Sequence, residues 1–210
     1  MTKEIAGIIL AGGQSRRMGG GDKGLLALGG GSLLDHVVAR FAPQVGPLML
    51  SANGDPARFA GVGLPVVADT VKGFAGPLAG ILTGLEWAAA NTTCEALVTA
   101  AGDTPFLPEN LVERLAAAVE ERPDAIAVAC SGGKRHPTFA LWPLGLRDAL
   151  RRFLIDEDMR RVTAFIDGCD YVDVEFPIPT SGDHTHDPFF NINTSDDLAR
   201  AEGLLQSMKP

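Results

Sequence analysis

Positive charge, cysteine and long apolar runs are all scarce in this sequence of 210 residues. Lys and Arg number 18 against 26 Asp and Glu, a formal net charge of −8. That argues against non-specific nucleic-acid binding, which needs a basic face to displace counterions. It leaves room for a local pocket of cations around a small anion. The three cysteines, Cys94, Cys130 and Cys169, are far apart and odd in number. Free thiols in a reducing compartment are therefore expected, in place of a disulfide framework or a thiolate metal site. No apolar run approaches the roughly 20 residues that span a bilayer, and Met1–Glu4 lead straight into an apolar segment without a signal peptide. A cytoplasmic protein with no membrane partner is expected.

What is present suits a globular α/β chain: 46% hydrophobic and 21% charged residues, enough to bury a full core without staples. Short Val/Ile/Leu/Ala runs at Ile5–Ala11, Pro47–Ser51, Pro65–Ala68, Ala96–Ala101 and Ala125–Cys130 read as strands covered on both faces. Helical periodicity falls between them, near Ser32–Ala42, Pro77–Ala90 and Pro108–Glu121. This alternation predicts a Rossmann-like three-layer sandwich, a mostly parallel sheet with helices on both faces. Further on, Arg135–Trp142 and Tyr171–Phe176 read as strands, Pro143–Phe153 and Met159–Ile166 as short helices, and Phe189–Asn193 as an extended piece. Thr194 or Ser195 would cap a terminal helix. A single domain over 1–210 is expected, with residues 1–107 binding a nucleotide and 108–210 adding a small acceptor-facing layer.

The densest chemistry lies at Leu10-Ala11-Gly12-Gly13-Gln14-Ser15-Arg16-Arg17-Met18-Gly19-Gly20-Gly21-Asp22-Lys23. A strand runs into a turn rich in glycine and cations, then a helix, which is how α/β proteins present backbone N–H groups to phosphate. The segment has neither the G-x-x-x-x-G-K-[ST] nor the G-x-G-x-x-G spacing. Ligands of open α/β sheets bind beyond the carboxyl ends of the strands. There the second strand delivers Ser51-Ala52-Asn53, the third Asp69, and the fourth Asp103-Thr104-Pro105. A carboxylate at a strand end beside a phosphate loop suits Mg²⁺, so Asp103 is the candidate metal ligand and Lys23 the candidate phosphate contact. Gly76, Pro77 and Gly80 mark a second tight approach, where another segment or a base could pack on the helix.

In the second half, Arg135-His136 and Arg160-Arg161 are candidates to hold a second anionic substrate. Asn191 and Asn193 lie one alternation apart, placed to read the polar edge of a ring or to cap the last helix. Asp183-His184-Thr185-His186-Asp187 has metal-like spacing but lacks further ligands nearby, and a metal site is not expected there. No Ser-His-Asp or Cys-His arrangement suggests itself.

These motifs resemble those of the molybdenum cofactor guanylyltransferase family: Leu10–Gly13, Arg17-Met18-Gly19, Asp22-Lys23, Gly76–Gly80, Asp103-Thr104-Pro105, His136-Pro137-Thr138, Arg160-Arg161 and Asn191–Thr194. The opening signature is shared with cytidylyl and sugar-phosphate transferases, and the Gly12-Gly13 pair with the later motifs is the specific part. The resemblance implies transfer of GMP from GTP to molybdenum-bearing molybdopterin with release of pyrophosphate and with Mg²⁺ as cofactor. It assigns Leu10, Ala11, Gly12, Lys23, Asp69 and Asp103 to the nucleotide, with Gly13, Gly76 and Gly80 beside them, and Mg²⁺ to Asp103. Arg17 joins Lys23 and Asp103 in stabilising the reacting phosphates. Arg135, His136, Arg160, Arg161, Asn191 and Asn193 fall to molybdopterin. The resemblance also gives the nucleotide a contact at Ser51, which stands where related chains carry asparagine, with Asn53 two residues on. Implied partners are molybdoenzymes or other cofactor-biosynthesis proteins. The alternatives are a cytidylyltransferase, a sugar-phosphate nucleotidyltransferase and a non-catalytic cofactor carrier.

Overall fold

The computed structural model describes residues 5–12, 22–71, 76–181 and 184–207. In chain order the strands are β1 (Ala6–Leu10), β2 (Ala27–Leu28), β3 (Gly31–Ser32), β4 (Leu48–Ser51), β5 (Val66–Val67), β6 (Ala96–Ala101), β7 (Ile126–Ser131), β8 (Lys134–Pro143), β9 (Tyr171–Glu175), β10 (Thr180–Ser181) and β11 (His184–Thr185). The helices are α1 (Leu33–Phe41), α2 (Pro77–Asn91), α3 (Leu111–Ala118), α4 (Arg147–Ile155), α5 (Val162–Asp167) and α6 (Ser195–Ser207). No helix among the described residues is long and apolar enough to cross a membrane.

Seven strands form one sheet in the order β5-β4-β1-β6-β8-β7-β9. All neighbours run parallel except β8, which is antiparallel to both β6 and β7. The tight Gly132-Gly133 hairpin forces that reversal: both glycines have positive φ, 54° and 75°, a region other residues seldom enter. β8 joins the two halves of the chain, and Trp142 on it is fully buried, its indole N–H donating to Thr99 Oγ1 of β6 at 3.1 Å.

Both faces of the sheet are covered, as unbroken apolar strands require. α1 and α3 pack through Leu34, Val37, Phe41, Leu111 and Leu115 on one face. α2, α4 and α5 pack through Leu78, Ile81, Leu85, Leu150, Leu154, Phe165 and Ile166 on the other. A third small core joins the β2–β3 hairpin, Leu33, Phe106, Ile192 and α6. This core anchors the loops at the carboxyl edge.

The structure moves several expected boundaries. α3 starts at Leu111, three residues past Pro108, because Pro108 and Glu109 sit in a turn closed by the Leu111 N–H on the Pro108 carbonyl. α5 starts at Val162, not Met159, after a segment in which Asp158 takes a positive φ of 48°. Phe189–Asn193 pairs with no strand, although the Ile192 N–H donates to the Asp103 carbonyl at 3.1 Å. The two-residue strands β2 and β3 and the 3-10 segment Pro56–Val62 were not expected; they are too short to show a period. Thr194 is the residue that caps α6: its hydroxyl accepts from the Asp197 N–H, and the Asp197 carboxylate accepts in return from the Thr194 N–H.

Candidate active site

β1, β4 and β6 end side by side: Leu10 is level with Ser51 on one flank and Ala101 on the other. The residues just past these ends therefore converge by sheet geometry alone. Among the described residues the site has two polar clusters, one around Lys23 and one around Asp69.

Lys23 opens a 3-10 turn that packs closely on the loop after β6. A Cβ at Gly24 would stand 3.4 Å from the Gly102 carbonyl oxygen, which is how near the two segments pass. The lysine side chain is 11% exposed, and its ammonium donates to Asp103 Oδ2 at 2.5 Å, Asn191 Oδ1 at 2.9 Å and Asn193 Oδ1 at 2.5 Å. Asn191 also donates to Asp103 Oδ1 at 2.8 Å. The asparagines thus neither read a free ligand edge nor cap α6 with their side chains. They reach Lys23 because Ile192 between them is fully buried in the third core and turns its two neighbours the other way.

Asp69 is held from two sides. Ser51 Oγ donates to its Oδ1 at 3.3 Å, Asn53 donates to its Oδ2 at 2.7 Å, and Asn53 Oδ1 accepts from its backbone N–H at 2.9 Å. Ser51 is buried, 3% exposed, so it supports Asp69 from beneath and does not face a ligand. Asn53, exposed and two residues on, closes over the same carboxylate. Arg58 ties the clusters together: its guanidinium pairs with Asp22 Oδ2 at 2.5 Å and donates to the Asn53 carbonyl at 2.5 Å. Asn53 was visible in the sequence as an amide two residues past Ser51; Arg58 was not singled out, and nothing in local pattern marks it.

The bare Cα of Gly80 on α2 faces a segment of the chain itself. A Cβ there would meet Leu10 Cδ2 at 2.8 Å and Ser51 Oγ at 3.0 Å. Of the two expected roles it fills the packing one, and it bears on the nucleotide side only through those residues. Gly76, before α2, has φ 152°, a conformation that favours glycine. Its missing side chain would lie 3.9 Å from the Arg160 carbonyl, which brings the 158–161 segment beside the start of α2. Leu10 is half-buried, Ala11 is buried and Gly12 is exposed, with no described residue beyond its chain neighbours within 4 Å of where a Cβ would stand. Gly13, Arg16 and Arg17 lie outside the described residues, as do Phe74 and Ala75.

The second-half cations separate. Arg135 spends its charge within the fold: Nε on Asp173, Nη1 on Asp167 at 2.7 Å, and Nη2 on the Tyr171 hydroxyl. Burial works against its charge, but these three hydrogen bonds raise its pKa. Two carboxylates and a hydroxyl thus already partner its guanidinium within the fold. His136 is 8% exposed, stacked on Phe189 at 4.5 Å between ring centroids, and 2.7 Å from Ser131 Oγ. Ser131 also donates to Asp187 Oδ1 at 2.7 Å. Ser, His and Asp do meet here, contrary to expectation, yet not as a nucleophile set. The single hydroxyl proton goes to Asp187, so His136 must donate to Ser131, not take its proton. The cluster pins the start of the arm that ends in Asn191 and Asn193. Arg160 and Arg161 are exposed, Arg160 pairing with Asp158 at 3.1 Å. In the Asp183–Asp187 segment, Asp183 lies outside the described residues, and His186 and Asp187 turn to different partners, Phe106 and Ser131.

Comparison with known proteins gives this geometry a context. Residues 7–171 match the family described as the MobA-like NTP transferase domain. The chain is 67% identical over 208 residues to a molybdenum cofactor guanylyltransferase of Mesorhizobium japonicum, covering 99% of each. It is 50% identical over 204 residues to one of Bradyrhizobium, covering 97% of this chain and 94% of that one. Among solved structures, molybdopterin-guanine dinucleotide biosynthesis protein A from Archaeoglobus fulgidus superposes with a TM-score of 0.75 at 25% identity, covering 97% of this chain and all of the other. A 2-C-methyl-D-erythritol 4-phosphate cytidylyltransferase from Thermus thermophilus shares the fold, with a TM-score of 0.67 at 19% identity over 97% and 99% of the two chains. The chain is a MobA-like nucleotidyltransferase and belongs to the molybdenum cofactor guanylyltransferase family.

Proposed function

We propose that the protein transfers GMP from GTP to the phosphate of molybdenum-bearing molybdopterin and releases pyrophosphate, with Mg²⁺ at Asp103. The observation that carries the reading is the meeting of Lys23 with Asp103 at the exit of the glycine loop, next to an acidic clasp at Asp69. Asp69 has lone pairs left after its bonds to Ser51 and Asn53, so it can accept from the donor groups of a nucleoside. The exposed Gly12 lets a ligand approach the backbone of the loop closely, with Leu10 and Ala11 at its entry. Gly13 and Arg17 complete the proposed phosphate side of that loop.

Asp103 suits a hard dication that keeps several of its waters: a carboxylate at a strand end beside the phosphate side of the site, with no thiol or imidazole on it among the described residues. Bound there, Mg²⁺ supplies charge neutralisation at the phosphates. The remaining work falls to the chain's own groups. Lys23 provides a positive charge for the α-phosphate or the departing pyrophosphate, and the loop amides fix the triphosphate in line. No general base is needed, since a phosphate monoester with a second pKa of about 6 is largely ionised near neutrality. His136 is in no position to act as one. Arg160, which also pairs with Asp158, and Arg161 stand exposed, the Arg160 backbone beside the start of α2, and are proposed to meet the anionic acceptor.

The test is purified protein with molybdenum-loaded molybdopterin, Mg²⁺ and each nucleoside triphosphate in turn. Dinucleotide and pyrophosphate should form in equal amounts with GTP. Transfer supported by CTP and not by GTP would overturn the guanylyl reading, and GTP binding without any transfer would favour a carrier.

A further inference from the structure

Lys23 has three N–H donors, and the protein uses all three, on Asp103, Asn191 and Asn193. A carboxylate and two amide oxygens gathered round one ammonium hold it in an oxygen cage, and the carboxylate of that cage is the group a hard metal ion would take. The cage is held firmly. Asn191 is engaged at both ends of its amide, accepting from Lys23 and donating to Asp103 Oδ1. The Asn193 N–H donates to the Asp197 carboxylate, the same group that closes the α6 cap, and those N–H donors hold the Asp197 carboxyl below its ordinary range. Upstream, the arm is pinned by Asp187 on Ser131 and by the Phe189 ring on His136.

We infer that Asn191 and Asn193 are positioning residues for Lys23, not contacts to the acceptor, and that their cage makes the Lys23 ammonium an internal rival of a divalent cation at Asp103. The inference rests on the transferase reading only for the need of a dication at that carboxylate. A metal ion that takes Asp103 must loosen an ammonium 2.5 Å from it. A triphosphate gives that ammonium somewhere to go. Nucleotide should therefore promote metal binding and metal promote nucleotide binding by the same factor, since such coupling is reciprocal.

The experiment is a titration of Mn²⁺ alone into the full-length protein, without nucleotide or acceptor, with free Mn²⁺ read by electron paramagnetic resonance. Lys23→Met keeps the side-chain stem and removes the charge, so Kd for Mn²⁺ should fall by at least about tenfold, the scale of losing a close like-charged neighbour. Asn193→Ala removes one of three charge-assisted hydrogen bonds to the ammonium, and Kd should fall by about three- to fivefold. In the same variant kcat should drop while KM for the acceptor stays within about twofold, because an amide that only aims Lys23 at the reacting phosphates adds nothing to ground-state binding of the acceptor. Mn²⁺ binding unchanged or weaker in Lys23→Met overturns the rivalry. In Asn193→Ala, weaker Mn²⁺ binding makes the amide a metal donor and unchanged binding with a raised acceptor KM makes it an acceptor contact; each overturns the positioning role. The Mn²⁺ titration needs no turnover, so a wild-type protein that transfers no GMP sinks the transferase reading without deciding this one.

Discussion

Gly80→Ala separates packing from nucleotide positioning. The new methyl would stand 2.8 Å from Leu10 Cδ2 and 3.0 Å from Ser51 Oγ, both ends of side chains, so relief comes by rotating them and not by moving strands. For Leu10 the cost is an off-rotamer shift of about 0.5–1.5 kcal/mol. Alanine recovers about 0.8–1 kcal/mol over glycine in a helix interior, so the melting temperature should hardly change. Ser51 is different, because turning its hydroxyl breaks the 3.3 Å bond to Asp69. Bonds to charged groups contribute about 1.5–3 kcal/mol, and at this length the lower end or less applies, which predicts a rise in KM for GTP of about three- to tenfold. The control is Gly84→Ala one turn on, where a methyl would meet Ile8 Cδ1 and Leu97 Cδ2, both at 2.8 Å, inside the core. It should lower the melting temperature by overpacking and leave KM alone. Steady-state kinetics with both variants decide the matter. Equal KM changes in the two, or none in Gly80→Ala, refute the reasoning.

Arg58→Ala should raise KM for GTP by about three- to tenfold through loss of the link from Asp22 to Asn53, while stability shifts by no more than about 1 kcal/mol, since the pair is solvent-exposed on the arginine side. An unchanged KM removes Arg58 from the site. Asp103→Asn should abolish Mg²⁺-dependent turnover, checked by titrating Mg²⁺ into the variant; activity with unaltered Mg²⁺ dependence contradicts the metal assignment. Burial holds both His136 and His186 below the ordinary pKa of 6.5. The unfolded chain therefore takes up protons first, so the two rings contribute fully to stability above 6.5 and that contribution is lost as pH falls toward their lowered native values. Melting temperature should decline below pH 6.5. His186→Phe, which also removes a buried ring nitrogen without a partner, should flatten that decline, and an undiminished acid loss in the variant argues against it.

The sheet was legible because its strands are unbroken apolar runs. β1, β4, β5 and β6 lie within a residue of their expected ends, and their adjacency put Ser51, Asp69 and Asp103 on one edge. Lys23 and Asp103 were legible for the same reason, one closing a glycine loop and the other closing a strand. The partners of these residues were not. Asn191 and Asn193 are 168 and 170 positions from Lys23, and only the burial of Ile192 in the third core turns them toward it. Arg135 looked like a free cation because Asp167, Asp173 and Tyr171 reach it from α5 and β9, elements whose packing no local pattern predicts. The surroundings of His136 were hidden for a similar reason: Phe189, which covers it, arrives from a loop 53 residues away.

The Lys23–Asp103 pair is proposed to carry the transfer of GMP. Its most direct test is kcat/KM for dinucleotide formation from GTP and molybdenum-loaded molybdopterin in wild type and Lys23→Ala, with folding of the variant verified by its thermal melt. Loss of one preorganised electrostatic contact predicts a fall of about 10²–10³. A fall of less than about threefold, a difference too small for an electrostatic contact made in the transition state, contradicts the account.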